Sequence, residues 1–340
     1  MSRRMVGFSL VLATALVLSW FLYSTALLPS WLRSAPEIIP IPIVIVRFQT
    51  LHSGLIHIAV AKGYLAEAGL TATLKTILTG HEAIDQVLGG QADVGTSAET
   101  PFAMALAEGR QPKILATIFA SQWSSGIVAR KDSGIFMPAD LKGKRIGYVF
   151  GTNTHYDLET FLEFHNIALG AVTLVPGLPP QLVRDLVSGN IDAASIWMPF
   201  MSQMQEKLGK NAQTFLAPGF YAQTVNLFVG PDFMRLHHEA GIRLLKALYK
   251  AELFVQAYPD EALDIIAAAS NLKAGALRGH GDPLTYELTL KQSLLLATEN
   301  QIRWYFRRGF VAKRAFPDVL SAFETVPLHA LKPASVTIVK

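Results

Sequence analysis

The chain has no cysteine in its 340 residues. That absence removes disulfide frameworks, cysteine-ligated zinc or iron–sulfur clusters and cysteine nucleophiles. Charge is scarce as well: charged residues make up 16% against 51% hydrophobic, too apolar for a disordered chain and ample for a large core. The 25 glycines and 18 prolines follow no period, which excludes collagen-like and low-complexity classes. Three of the four net positive charges belong to Arg3, Arg4 and Arg33, so the remainder is near neutral and no nucleic-acid partner is expected. Catalytic spacings are missing too: there is no Gly-x-Ser-x-Gly elbow, Walker loop, dinucleotide fingerprint or His-Glu-x-x-His. His237 and His238 are adjacent and would project apart on a helix, so neither a metal site nor a cofactor is expected.

What is present begins with a membrane signal. Met5 to Leu28 is a nearly continuous apolar run behind Arg3 and Arg4. As a helix it would span roughly 36 Å at about 1.5 Å per residue, enough for a hydrocarbon core about 30 Å thick. Basic residues ahead of the run hold the N-terminus in the cytoplasm and send the remainder across. Residues 1–35 therefore read as a signal peptide or signal anchor with a spacer. Ser24-Thr25-Ala26 offers a small-x-small cleavage site, while the length of the run suits an anchor formed by residues 5–28. Pro36, Pro40 and Pro42 mark an extended spacer before the body.

From residue 43, short β-branched runs alternate with amphipathic stretches, the pattern of an α/β protein. Strands are predicted at Ile43 to Phe48, Ala72 to Leu78 and Val94 to Thr96, with helices over Leu55 to Ala68 and Glu82 to Leu88. The same order returns with strands at Arg145 to Phe150, Val172 to Val175 and Ala193 to Trp197, and helices over His155 to His165 and Gln181 to Val187. "VLGGQADVG" and "LVSGNIDAA" share a Gly-x-x-Asp, Gly90 with Asp93 and Gly189 with Asp192, both offset by 99 residues. Pro101 and Pro199 follow them. A helix stopped by glycine, an aspartate in the turn, a strand, and a proline that delays the next helix form one unit. Two such units in register predict two similar lobes. Beyond Gln223 a strand at Val225 to Val229 precedes mostly helical sequence, including an apolar face of Ile242, Leu245, Leu248 and Tyr249 and a long helix over Pro283 to Phe306.

Ligands of α/β sheets bind beyond the carboxyl ends of strands, which directs attention to the loops there. Gly151-Thr152-Asn153-Thr154, followed by His155, lies between a predicted strand and helix. Free N–H groups at the helix start, with the Thr152 and Thr154 hydroxyls, can hold an anion; the same residues can serve as plain N-caps. His52 and Ser53 follow the first strand. Ser97, Glu99 and Thr100 follow the third, where Glu99 can cap the next helix, pair with a cationic ligand group or stand in solvent. Trp197 ends a strand at the same level, and Trp123 precedes the crossing between lobes; their rings can wall an apolar ligand body or fill core.

The segments "AKGYLAEAGL", "GGQADVGTSAETPF", "ARKDSGIFMPADLKGKRIGYVFGTNTHYDLETFLE", "SGNIDAASIWMPF" and "QIRWYFRRGF" resemble, in order over about residues 43–325, the periplasmic solute-binding proteins of ABC importers. The group is that of aliphatic sulfonate, taurine and nitrate, related to thiamine-pyrimidine-precursor binding proteins. The resemblance implies a two-lobe periplasmic-binding-protein fold of type II, with a hinge and an interlobe ligand cleft. Residues 43–128 plus 225–340 would form lobe 1 and residues 129–224 lobe 2. It also implies a small organic anion as ligand, an ABC permease with its ATPase as partners, and a periplasmic location or one at the outer face of the cytoplasmic membrane. A monomer without enzymatic activity is expected. By position, Ser97, Glu99, Thr100, Gly151 to His155 and Trp197 match the family's ligand-contacting segments. Met198 departs from the acidic residue common after that tryptophan, which suggests a more apolar cleft wall. The alternatives are a membrane-anchored sensor and a pyrimidine-synthase-like enzyme; the latter's cysteine-rich motif is absent.

Overall fold

The computed structural model describes residues 39–339 apart from 217–221, 274, 279–283 and 313–314. The membrane helix expected within residues 5–28, and residues 1–35 as a whole, lie outside the described residues. No helix among the described residues is long and apolar enough to cross a membrane.

The elements run β1 (Ile41–Phe48), α1 (Gly54–Ala61), β2 (Leu70–Ile77), α2 (Gly80–Leu88), β3 (Val94–Ala98), α3 (Glu99–Ala107) and β4 (Lys113–Ser121). Next come β5 (Ser125–Arg130), β6 (Arg145–Tyr148), α4 (Asn153–Phe164), β7 (Thr173–Pro176), α5 (Pro179–Ser188), β8 (Ala193–Trp197), α6 (Phe200–Leu208) and β9 (Ala212–Phe215). The chain continues through β10 (Gln223–Val229), α7 (His238–Ala257), α8 (Pro259–Ala269), α9 (Gln292–Arg308) and α10 (Thr325–Leu331).

The strands form two five-stranded sheets, ordered β2-β1-β3-β10-β4 and β7-β6-β8-β5-β9. In each, three parallel strands are followed by one antiparallel to both of its neighbours. That antiparallel strand is exchanged in sequence: β10 completes the first sheet from beyond the second, and β5 opens the second before its parallel strands begin. The two α/β sheets carry the predicted fold class.

The repeated Gly-x-x-Asp has a definite job in both sheets. Gly90 (φ 70°) and Gly189 (φ 79°) turn the chain out of α2 and α5 through the left-handed region, where a side chain is strained. Asp93 then grips Val44 on β1 twice, its N–H donating to the Val44 carbonyl at 2.9 Å and its carboxylate accepting from the Val44 N–H at 2.7 Å. Asp192 does the same to Arg145 on β6, at 2.8 and 2.9 Å. The aspartate thus fixes the register of the incoming central strand.

Apolar periodicity builds the cores. Ile43, Ile45 and Val46 of β1 and Leu55, Ile56 and Ile58 of α1 are fully buried in the larger core. Leu158, Phe161 and Leu162 of α4 pack on Ile127, Ile146 and Ala193 of the second sheet in a smaller one. On α7, Leu245 and Leu248 are buried, while Ile242 and Tyr249 are half-buried.

Three expectations are corrected. The single helix over Leu55 to Ala68 is broken at Gly63 (φ 74°) into α1 and one further turn, Tyr64–Glu67. Pro101 does not delay its helix: α3 starts at Glu99, and Pro101 occupies the first turn, where a backbone N–H would have no intrahelical acceptor. The long helix over Pro283 to Phe306 starts only at Gln292. Pro283 lies outside the described residues, and Thr285 and Thr289 instead accept from Ala120 and Thr117 of β4, at 2.9 and 2.8 Å, extending the sheet edge.

Candidate functional site

A narrow cavity of about 30 Å³, room for one or two waters, lies where the carboxyl ends of β1, β3, β6 and β8 meet. The first sheet and its turns contribute Phe48, His52, Thr79, Gly80, Ala98 and Pro101; the second contributes Thr152, Asn153 and Trp197. Gln223 and Val225 of β10 complete the wall. No aspartate, glutamate, lysine or arginine is among these residues.

His52 is buried, 3% exposed, with Phe119 edge-on to its ring at 5.0 Å. Burial pushes its pKa down to about 3, so the imidazole is neutral. Its Nδ1 lies 2.8 Å from the Thr50 hydroxyl, while Nε2 has no partner among the described residues. Ser53 Oγ and Thr100 Oγ1, both fully buried, also lack one.

Across the cavity, Thr152 is the N-cap of α4, yet its hydroxyl does not cap it. The hydroxyl donates instead to the Val149 carbonyl at 2.7 Å and lies 3.1 Å from the Thr154 hydroxyl. Helix geometry leaves the first N–H groups of α4 without intrahelical acceptors. Gly151, at φ 69°, brings the chain into this turn, and its carbonyl accepts from His81 Nε2 at 3.0 Å.

Of the sequence-derived candidates, His52, Thr152, Asn153 and Trp197 line the cavity. Ser53, Ser97, Thr100, Gly151 and Thr154 are buried on the same segments without lining it; Ser97 Oγ donates to the Ala98 carbonyl at 2.9 Å. Glu99 faces a different cavity, of about 390 Å³. It is fully buried, not solvated, and accepts from Thr224 N and Oγ1, the latter at 3.0 Å. Burial raises its pKa to about 7 against the opposing hydrogen bonds, one of them from Asn153. Trp123 is buried away from the cavity lining.

His155 does not line the cavity either. It sits among Tyr148, Phe150, Trp304 and Phe310, with Nε2 3.2 Å from Glu159. Glu159 also accepts from Trp304 Nε1 at 2.7 Å and from Arg308, tying α4 to α9. Met198 packs into the core, its sulfur 2.9 Å from Ser202 Oγ, and is not a cavity wall.

Among the lining residues, sequence reasoning missed the apolar Phe48, Ala98, Pro101 and Val225 as well as Thr79, Gly80 and Gln223. The rule that pointed to the ends of β1 and β3 applies equally to Thr79-Gly80, just beyond β2; Gln223 carries no such signal, because only the exchange of β10 brings it here.

Comparison with known proteins gives a consistent picture. The chain is 28% identical over 226 residues to the taurine-binding periplasmic protein of Escherichia coli, covering 64% of this chain and 69% of that one. The alkanesulfonate-binding protein SsuA from Xanthomonas axonopodis pv. citri, bound to MOPS, superposes with a TM-score of 0.72 at 18% identity, over 84% of this chain and 98% of that one. The periplasmic nitrate-binding protein NrtA from Synechocystis gives 0.68 at 13%, over 88% and 90%. These likenesses establish a periplasmic-binding-protein fold. The sequence profile described as NMT1/THI5 like matches residues 49–262, more than half of the chain, and the protein belongs to that family.

Proposed function

We propose that the protein is the extracytoplasmic substrate-binding component of an ABC importer, capturing a small organic anion of the sulfonate, taurine or nitrate kind. Two lobes, residues 43–128 plus 225–340 and residues 129–224, close on the ligand and deliver it to a membrane permease with its ATPase. The protein acts as a non-catalytic monomer in the periplasm or at the outer face of the cytoplasmic membrane, anchored there by residues 5–28 where they are not cleaved. The chains leading into β5 and β10 serve as the hinge.

The observation that carries this reading is His52 Nε2, a buried polar atom of a cavity-lining residue that has no partner among the described residues. Buried polar groups are normally satisfied, and a ligand oxygen would satisfy this one. The first turn of α4 supplies N–H groups from the opposite side, so an anion can be held without a counter-charge. Phe48, Trp197 and Val225 offer apolar wall for an organic tail. The names of the relatives point to the same ligand chemistry.

Only one or two waters fit in the cavity, so a ligand enters with the lobes parted and is held in a form that closes around it less tightly than this one. A thermal-shift screen with ethanesulfonate, taurine, nitrate and benzoate tests the proposal, because a ligand of the folded state raises Tm by mass action. The expected result is a shift of several degrees with one anion class, lost in His52→Leu. No shift with any of them, on folded protein freed of carried-over ligand, overturns it.

A further inference from the structure

His52 is separated from any charged partner. Phe48 and Phe119 flank its ring at 6.4 and 5.0 Å, and Thr50 meets its Nδ1 at 2.8 Å. His57, one turn along, is engaged with the Thr50 carbonyl at 2.9 Å, and Arg47 acts electrostatically on His57. Burial is the cause of the low His52 pKa, so the ring carries a single proton at neutral pH.

Where that proton sits follows from counting unmet groups. If Nδ1–H donated to Thr50, both the Thr50 hydroxyl proton and the Nε2 lone pair would lack partners among the described residues. If the Thr50 hydroxyl donates to Nδ1, a single group is left, an Nε2–H on a cavity-lining residue only 3% exposed. Unpaired buried polar groups are costly, so the second arrangement prevails.

We propose that Thr50 is a positioning residue that holds His52 in its Nε2-protonated tautomer, making it a neutral donor to an anionic oxygen of the ligand. This rests on the anion-receptor reading above and deepens it: the ligand is recognised by an uncharged imidazole N–H rather than by an imidazolium. Selection thereby favours compact, fully ionised anions that accept hydrogen bonds. It does not depend on protonating the histidine.

The test uses the full chain with 15N-labelled histidine. In ligand-free protein the His52 resonances should report protonated Nε2 and bare Nδ1, with no titration of the ring between pH 5 and about 9. Thr50→Val, nearly isosteric, should release the tautomer and weaken binding of the best anion from the screen, or of methanesulfonate, by about tenfold, the usual worth of one hydrogen bond to a charged group. Thr50→Ser should restore both readouts. An Nδ1-protonated His52 overturns the assignment, as does Thr50→Val that binds like the wild type. The tautomer is read without ligand, so a wild type that binds no anion overturns the receptor reading and with it the donor role, while the NMR result still decides what Thr50 does.

Discussion

The Tyr305 hydroxyl lies 2.8 Å from the Gly151 carbonyl and donates to it, so a residue of α9 reaches the turn after β6. The same hydroxyl is 3.2 Å from the Thr100 carbonyl in α3. One buried phenol therefore bridges the backbones beyond β3 and β6, and the conformation of Gly151 matters more than its lack of a side chain suggests.

Gly151 and Gly90 have nearly the same backbone, φ 69° and 70°, but different surroundings. A Cβ on Gly151 would come within 2.6 Å of His81 Nε2, whereas one on Gly90 would meet nothing within 4 Å. Gly90→Ala should cost about 1–2 kcal/mol from left-handed strain alone. Gly151→Ala should cost about 3 kcal/mol or more, because the His81 contact must also yield. Urea unfolding of both variants checks this; equal losses would show that His81 adapts freely.

Glu99 and Asp157 predict a pH dependence. Burial raises Glu99 to about 7; burial, with the Glu99 charge adding, raises Asp157 to about 8. A folded-state pKa above the unfolded one means that the native protein holds protons the unfolded chain has released. Stability should then decline as pH rises from about 4.5 to 8 and level off above. Glu99→Gln should reduce the difference in stability between pH 5 and pH 8 by about half, since it also relieves Asp157. Parallel pH profiles for variant and wild type would refute this coupling.

Asp93 and Asp192 should each cost about 1–3 kcal/mol when replaced by alanine, since a strand N–H loses its acceptor. Asp192→Ala should be the more severe at neutral pH: its carboxylate also accepts from Arg145 Nε at 3.1 Å and Nη2 at 2.9 Å. The double variant should show additive losses within about 0.5 kcal/mol, because the residues belong to different sheets. A deviation well beyond that would mean that the two sheets share more than their wall contacts.

Much of this architecture was legible because it repeats. Gly90 to Asp93 and Gly189 to Asp192 stand 99 residues apart, and their bonds to Val44 and Arg145 are the physical content of that repeat. The parallel strands were legible from β-branched runs, and Trp197 and Thr152 from lying at their ends. β9 was not: its four residues are all half-buried at an edge and carry no pattern. "TYELTL" satisfies helical spacing as well as strand alternation, and only the free edge of β4 decides between them. His155 read as a loop ligand because its neighbours Trp304 and Phe310 lie some 150 residues away in sequence.

The exchange of β5 and β10 has a consequence for how the chain is made. Every strand of the second sheet lies between Ser125 and Phe215, one uninterrupted stretch. The first sheet needs residues 41–121 and then waits about a hundred residues for β10, without which β3 and β4 have no connection. A chain emerging N-terminus first can therefore complete its second sheet before its first. Until residue 229 has emerged, β1, β2 and β3 can pair among themselves while the second edge of β3 and the whole of β4 stand without their partner strand.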